Sequence, residues 1–140
     1  MNRTGRNSRA LSVALVLTLL ACSDMPAFGA SSAFAPEVIC RTAIGSVMGR
    51  DPKVVVVTRI DGEILYLSYV RPIDNFIWDY RCRIEGNRVI WASEPGRWRE
   101  GPGDDKVFFE VIANGSQLRI IDNHSDGSTT KEEFNRDKVQ

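Results

Sequence analysis

Ile77-Trp78-Asp79-Tyr80-Arg81-Cys82-Arg83-Ile84 alternates more cleanly than any other stretch of this 140-residue chain. Trp78, Tyr80, Cys82 and Ile84 share one side, and Asp79, Arg81 and Arg83 share the other. That period of two predicts a half-buried β-strand with Cys82 on its apolar side. Upstream, Cys40, Ala43, Ile44 and Val47 follow the i, i+3, i+4, i+7 spacing of one helical face. Pro36 suits a first helical turn and Glu37 complements the positive end of the helix. Gly49 and Asp51-Pro52 stop it. The spacing therefore predicts a helix over Pro36 to Met48 with Cys40 on its buried face. Two independent periodicities bring Cys40 and Cys82 to one interface, which predicts a disulfide. Two buried thiols or half of a metal site are the alternatives. Zinc takes more ligands than two cysteines and the one histidine, His124, so metal ranks last.

Outward from this pair, the rest reads as β-structure. Val54 to Ile60 is β-branched and apolar, and Asp61-Gly62 is a hairpin signal. Glu63 to Val70 is apolar on both faces, which predicts a strand covered on both sides or a sheet curled on itself. After an Arg71 to Phe76 loop come strands at Ile77 to Ile84 and Arg88 to Ala92, then a long Gly/Pro-rich loop to Asp105. Lys106 to Ala113 and Gln117 to Asn123 flank Asn114-Gly115, and Thr129 to Phe134 follows Ser125-Asp126-Gly127. Residues after Asn135 are expected to fray. The expected class is α+β: one N-terminal helix packed on a curved antiparallel meander of six to seven strands, with the strand order left open.

The first residues read as an export signal. Arg3, Arg6 and Arg9 precede an apolar run from Ala10 to Ala21. A bilayer-spanning helix needs roughly 20 apolar residues, so this run suits a cleaved leader. It ends in Leu19-Leu20-Ala21-Cys22, which resembles the lipobox of a bacterial lipoprotein precursor. The resemblance covers only the leader. It implies cleavage before Cys22, lipid (palmitate) on Cys22, and stable anchoring through more than one acyl chain. Ser23 after the cysteine implies the outer rather than the inner membrane, with the protein facing the periplasm. The competing route cuts after Ala27-Phe28-Gly29 and yields a soluble periplasmic or secreted product. The expected organisation is a signal peptide at 1–21, a lipidated Ser/Ala-rich tether at 22–35, and one globular domain at 36–140. Cys40 and Cys82 then meet an oxidising compartment, where disulfides persist. The whole chain balances 18 basic against 18 acidic residues. Loss of the three leader arginines turns it mildly acidic, which argues against nucleic acid as a partner.

Two stretches carry candidate chemistry. Asp122-x-His124-x-Asp126-Gly127, with Glu133 at the twelfth position, resembles a calcium loop of the EF-hand type. His124 replaces an oxygen ligand and a strand replaces the entering helix, so a polar hairpin with a glycine turn is expected there. The second stretch is the loop Glu94 to Asp105. Its Arg97-Trp98-Arg99 has the residue types enriched at binding hot spots. It either contacts a partner, or Trp98 folds back over the core while the arginines pair with Glu94 and Glu100. The chain has no Gly-x-Ser-x-Gly elbow, paired-histidine metalloprotease motif or Gly-rich phosphate loop.

The expected function is that of a lipid-anchored cell-envelope protein binding another protein or peptidoglycan without catalysis or cofactor. An inhibitor of a lysozyme or protease acting through Arg97–Arg99 is the second reading. A small hydrolase using a pair such as Glu94 and Asp104 is the third. An inhibitor needs a protruding ordered loop, a scaffold an exposed apolar patch, and an enzyme a concave pocket with converging carboxylates.

Overall fold

In the computed structural model, which describes residues 33–140, an N-terminal helix precedes a seven-stranded antiparallel sheet. Helix α1 spans Pro36–Val47, with Pro36 and Glu37 in its first turn. It ends beside Gly49, whose φ of 61° is the left-handed value that a side chain resists. A 3-10 turn at Pro52–Val54 follows, where the Lys53 backbone N–H donates to the Asp51 carboxylate at 2.9 Å. That turn takes Val54, the first residue of the predicted strand, and Val55 caps it, so β1 starts later, at Val56–Asp61.

The other strands are β2 (Ile64–Arg71), β3 (Phe76–Glu85), β4 (Arg88–Ser93), β5 (Lys106–Ile112), β6 (Gln117–Asn123) and β7 (Thr129–Asn135). Each pairs antiparallel with the next, so the spatial order is consecutive from β1 to β7. The ladder is long between β2 and β3, from Leu65↔Cys82 to Arg71↔Phe76. It is shortest between β4 and β5, where only Arg88↔Phe108 and Val89↔Val107 pair. The long loop after β4 diverts the chain there.

The core lies on one face of the sheet. Ile39, Cys40, Ala43 and Ile44 of α1 meet Leu65, Leu67, Tyr80, Cys82, Val89, Val107, Leu118 and Ile120. Cys40 and Cys82 form a disulfide across a Cα–Cα distance of 6.0 Å, and both are fully buried. It fastens α1 to β3, as the two periodicities predict. No helix among the described residues is long and apolar enough to cross a membrane.

Three expectations change. Phe34, in the stretch read from sequence as tether but an odd residue for a linker, suited to touch the domain or the membrane surface, is 1% exposed, so packing begins ahead of α1. The residues expected to fray instead form a short helix α2 (Arg136–Val139). Val139 is buried, its carbonyl accepts from the Arg41 guanidinium, and Arg136 lies over the Phe34 ring at 4.6 Å. Contacts with Phe34 and with Arg41 of α1 hold it, and no local pattern encodes them. β2 is buried on one face alone: Leu65, Leu67 and Tyr69 are inside, while Ile64 and Tyr66 are half-buried and Val70 is exposed. An Arg59 guanidinium, 3.7 Å from the Tyr66 ring centre, supplies local cover on the other face.

Candidate functional site

The loop from Glu94 to Asp105 is held by its own charges. Arg97 donates through both terminal nitrogens to Asp104, at 2.6 and 2.7 Å, in the bidentate geometry that suits a guanidinium and a carboxylate. The Gly101 N–H donates to the same carboxylate at 2.9 Å. Asp104 is nearly buried, and its pKa is lowered to about 2, chiefly by Arg97. The Arg99 backbone N–H donates to the Trp91 carbonyl at 2.8 Å, and its guanidinium lies 5.4 Å from the Trp91 ring centre.

Trp98 folds back onto the sheet. Its ring lies against the guanidinium groups of Arg81 at 4.7 Å and Arg83 at 4.4 Å, the outward residues of β3. Those arginines sit opposite Ala92 and Ile90 of β4, both fully buried although they face away from α1. The loop thus roofs a small second patch of apolar surface. Glu94 and Glu100 do not pair with Arg97 and Arg99. Glu94 pairs with Arg81 at 2.9 Å, and Glu100 with Arg83 at 2.5 Å. Sequence reasoning assigned the acids to their nearest neighbours along the chain. The outward alternation of Arg81 and Arg83 was the signal for the true partners.

The stretch holding Asp122, Asp126 and Glu133 takes the expected hairpin form. The segment is a hairpin of β6 and β7, in which Asp122 pairs with Thr130 and Arg119 with Glu133. Glu133 lies three ladder positions from Asp122, roughly 10 Å along the strand. Its carboxylate is bound to Arg119 at 2.7 Å. Asp126 turns back on the loop and accepts from the Ser128 N–H at 2.8 Å and hydroxyl at 2.6 Å. Glu133 and Asp126 are thus each engaged by separate partners.

Another trio converges instead. Asp105, at the end of the long loop, meets Asp122 and His124 of β6 and its turn. His124 Nδ1 lies 3.2 Å from Asp105 Oδ2 and 3.9 Å from Asp122 Oδ2, and Nε2 lies 2.8 Å from Thr130 Oγ1. The Asp105 hydrogen bond is the main cause of a raised His124 pKa. Burial raises that of Asp122. The pairs Lys106↔Asn123 and Val107↔Asp122 create this meeting, because they bring the residue before β5 alongside the residue after β6. Sequence reasoning singled out Asp122 and missed Asp105, whose partner register was not readable.

The tip of the β2–β3 hairpin exposes apolar side chains. Ile73 is 88% exposed, and Val70, Phe76 and Ile77 are each more than half exposed. Val70 and Ile77 pair on the outer face, while Phe76 pairs with Arg71 on the inner one. Both faces are exposed here, so the tip projects beyond the core. It is nonetheless well tied. Arg71 binds Asp74 through Nε at 2.9 Å, the Phe76 N–H donates to Asp74 at 3.1 Å, and Phe76 meets Trp78 edge-on at 5.4 Å. Asn75 takes the left-handed turn position, with φ of 57°. No protein-family model, curated protein or solved structure matches this chain.

Proposed function

We propose that this protein is a lipid-anchored component of the bacterial cell envelope that binds another envelope protein, without catalysis, through the β2–β3 hairpin tip. Cys22 carries the lipid and the residues that follow it lead from the membrane to the domain. Both the lipobox and most of that tether lie outside the described residues. In this reading the sheet curves around α1, which touches every strand from β1 to β6. The Cys40–Cys82 bridge favours an exported address, since such bonds persist in oxidising compartments.

The observation that carries the binding reading is Ile73 at the end of an ordered apolar tip with Val70, Phe76 and Ile77. Clustered exposed apolar side chains mark interaction sites on soluble domains. A preorganised hairpin loses little entropy on docking. The Arg97–Arg99 loop serves less well, because Arg97 is already committed to Asp104 and Trp98 to Arg81 and Arg83. That commitment also weighs against the inhibitor reading.

A photo-reactive amino acid placed at Ile73 in living cells tests the proposal, with Lys131 on β7 as control. A discrete protein adduct from position 73 alone is expected. Ile73→Ser and Phe76→Ala should each weaken that complex by about 2 kcal/mol or more, the range of hot-spot truncations. An adduct found only in the peptidoglycan fraction, or none at all, would overturn the protein-binding reading. Lipid on Cys22 is checked by mass spectrometry, and Cys22→Ser should release the protein from the membrane.

A further inference from the structure

We propose that Asp105, Asp122 and His124 form a binding site for one divalent transition metal ion of the zinc type. One ligand atom from each lies within 4.8 Å of the other two, in reach of a common ion. A second observation points to a ligand. Asp122 is only 8% exposed, and its Oδ1 has no hydrogen-bond partner. Buried polar atoms nearly always have one. A cation between the three would neutralise this buried carboxylate, whose other oxygen, Oδ2, faces His124 Nδ1 at 3.9 Å.

The surroundings of the trio match those of a metal site. His124 Nε2 is within hydrogen-bond distance of Thr130 Oγ1 at 2.8 Å, and ligating imidazoles are typically oriented by such a bond on the other nitrogen. In the tautomer with Nε2–H donating there, Nδ1 presents its lone pair to the centre shared with the two carboxylates. Asp105 is steadied by the Ser125 N–H, which donates to its Oδ1 at 2.8 Å and leaves Oδ2 for the centre. One imidazole nitrogen and two carboxylate oxygens suit zinc with a fourth position open. Calcium takes six to eight oxygens, more than this trio offers. The sequence argued against zinc because the chain has one histidine. The β5–β6 register supplies the carboxylates.

The test uses the full chain purified in detergent, stripped with a chelator and titrated with zinc ions by calorimetry. Saturable uptake of one ion per chain is expected. Asp122→Asn and His124→Gln should each weaken it at least tenfold, and Thr130→Val on the order of tenfold to 100-fold, the loss typical of a removed orienting partner. Asp126→Asn, whose carboxylate is engaged by Ser128, should leave uptake unchanged. Thermal melts by circular dichroism confirm that each variant is folded, and only folded variants are scored. Cobalt in place of zinc should give a visible absorption band that His124→Gln removes. Absence of saturable uptake by the wild-type chain, or uptake equally strong in folded Asp122→Asn, overturns the proposal.

Discussion

Asp104 shows how one side chain decides the form of a dozen-residue loop. It draws in Arg97 and the Gly101 N–H together, and Arg99 stands 3.8 Å away. Asp104→Asn keeps the shape and removes the charge. We expect the loop to open, with faster amide exchange over 97–103 and trypsin cleavage after Arg97 and Arg99 that wild type resists. The pH dependence has a definite sign. The folded pKa of about 2 lies below the ordinary 3.8, so the pair contributes fully above the ordinary value and is lost as pH falls through about 2. Trp98 emission followed by hydrogen exchange from pH 5 to 2 should report that loosening in wild type, and the Asn variant should lack the step. The composition of this loop was legible in the sequence, and so was the folding back of Trp98. The pairing was not, because charges two or three residues apart compete with cross-strand neighbours that only the register reveals.

At the scale of elements, periodicity located α1 and every strand, and β6 agrees residue for residue at Gln117–Asn123. It failed where tertiary contact overrides local pattern. α2 is too short to be stable alone, and the docking of Val139 holds it. The projecting β2–β3 tip also escaped notice, because alternation describes which way side chains point and not where the core ends. Gly45 carries the clearest element-scale prediction. Placed late in α1, it would ordinarily gain roughly 1 kcal/mol on becoming alanine. Here a Cβ would stand 3.0 Å from the Arg50 carbonyl oxygen and 3.0 Å from Pro52 Cα, both backbone atoms. Crowding of this kind costs about 1–3 kcal/mol. Gly45→Ala is therefore expected to destabilise despite the better helix former, and urea unfolding checks the direction. A stabilised variant would mean that the 50–52 segment yields freely.

For the whole molecule, consecutive strand pairing keeps most contacts local, and the disulfide is the principal exception in covalent form. It joins positions 42 residues apart and fixes the first element to the third strand. The chain-entropy model values such a closure at roughly 4 kcal/mol. That is a large share of the 5–15 kcal/mol typical of a domain. The paired variant Cys40→Ala with Cys82→Ala leaves the rest of the α1 interface intact, since Ile39, Ala43 and Ile44 remain buried there. We therefore expect a folded protein with the same β-rich spectrum but an unfolding midpoint lowered by an amount equivalent to about 2–5 kcal/mol. Reduction of the wild-type bond under native conditions should be slow, because both sulfurs are shielded from solvent. Reduction in denaturant should produce the same loss as the double variant. If the double variant matched wild type within about 0.5 kcal/mol, the helix would be held by packing alone and the closure argument would fail.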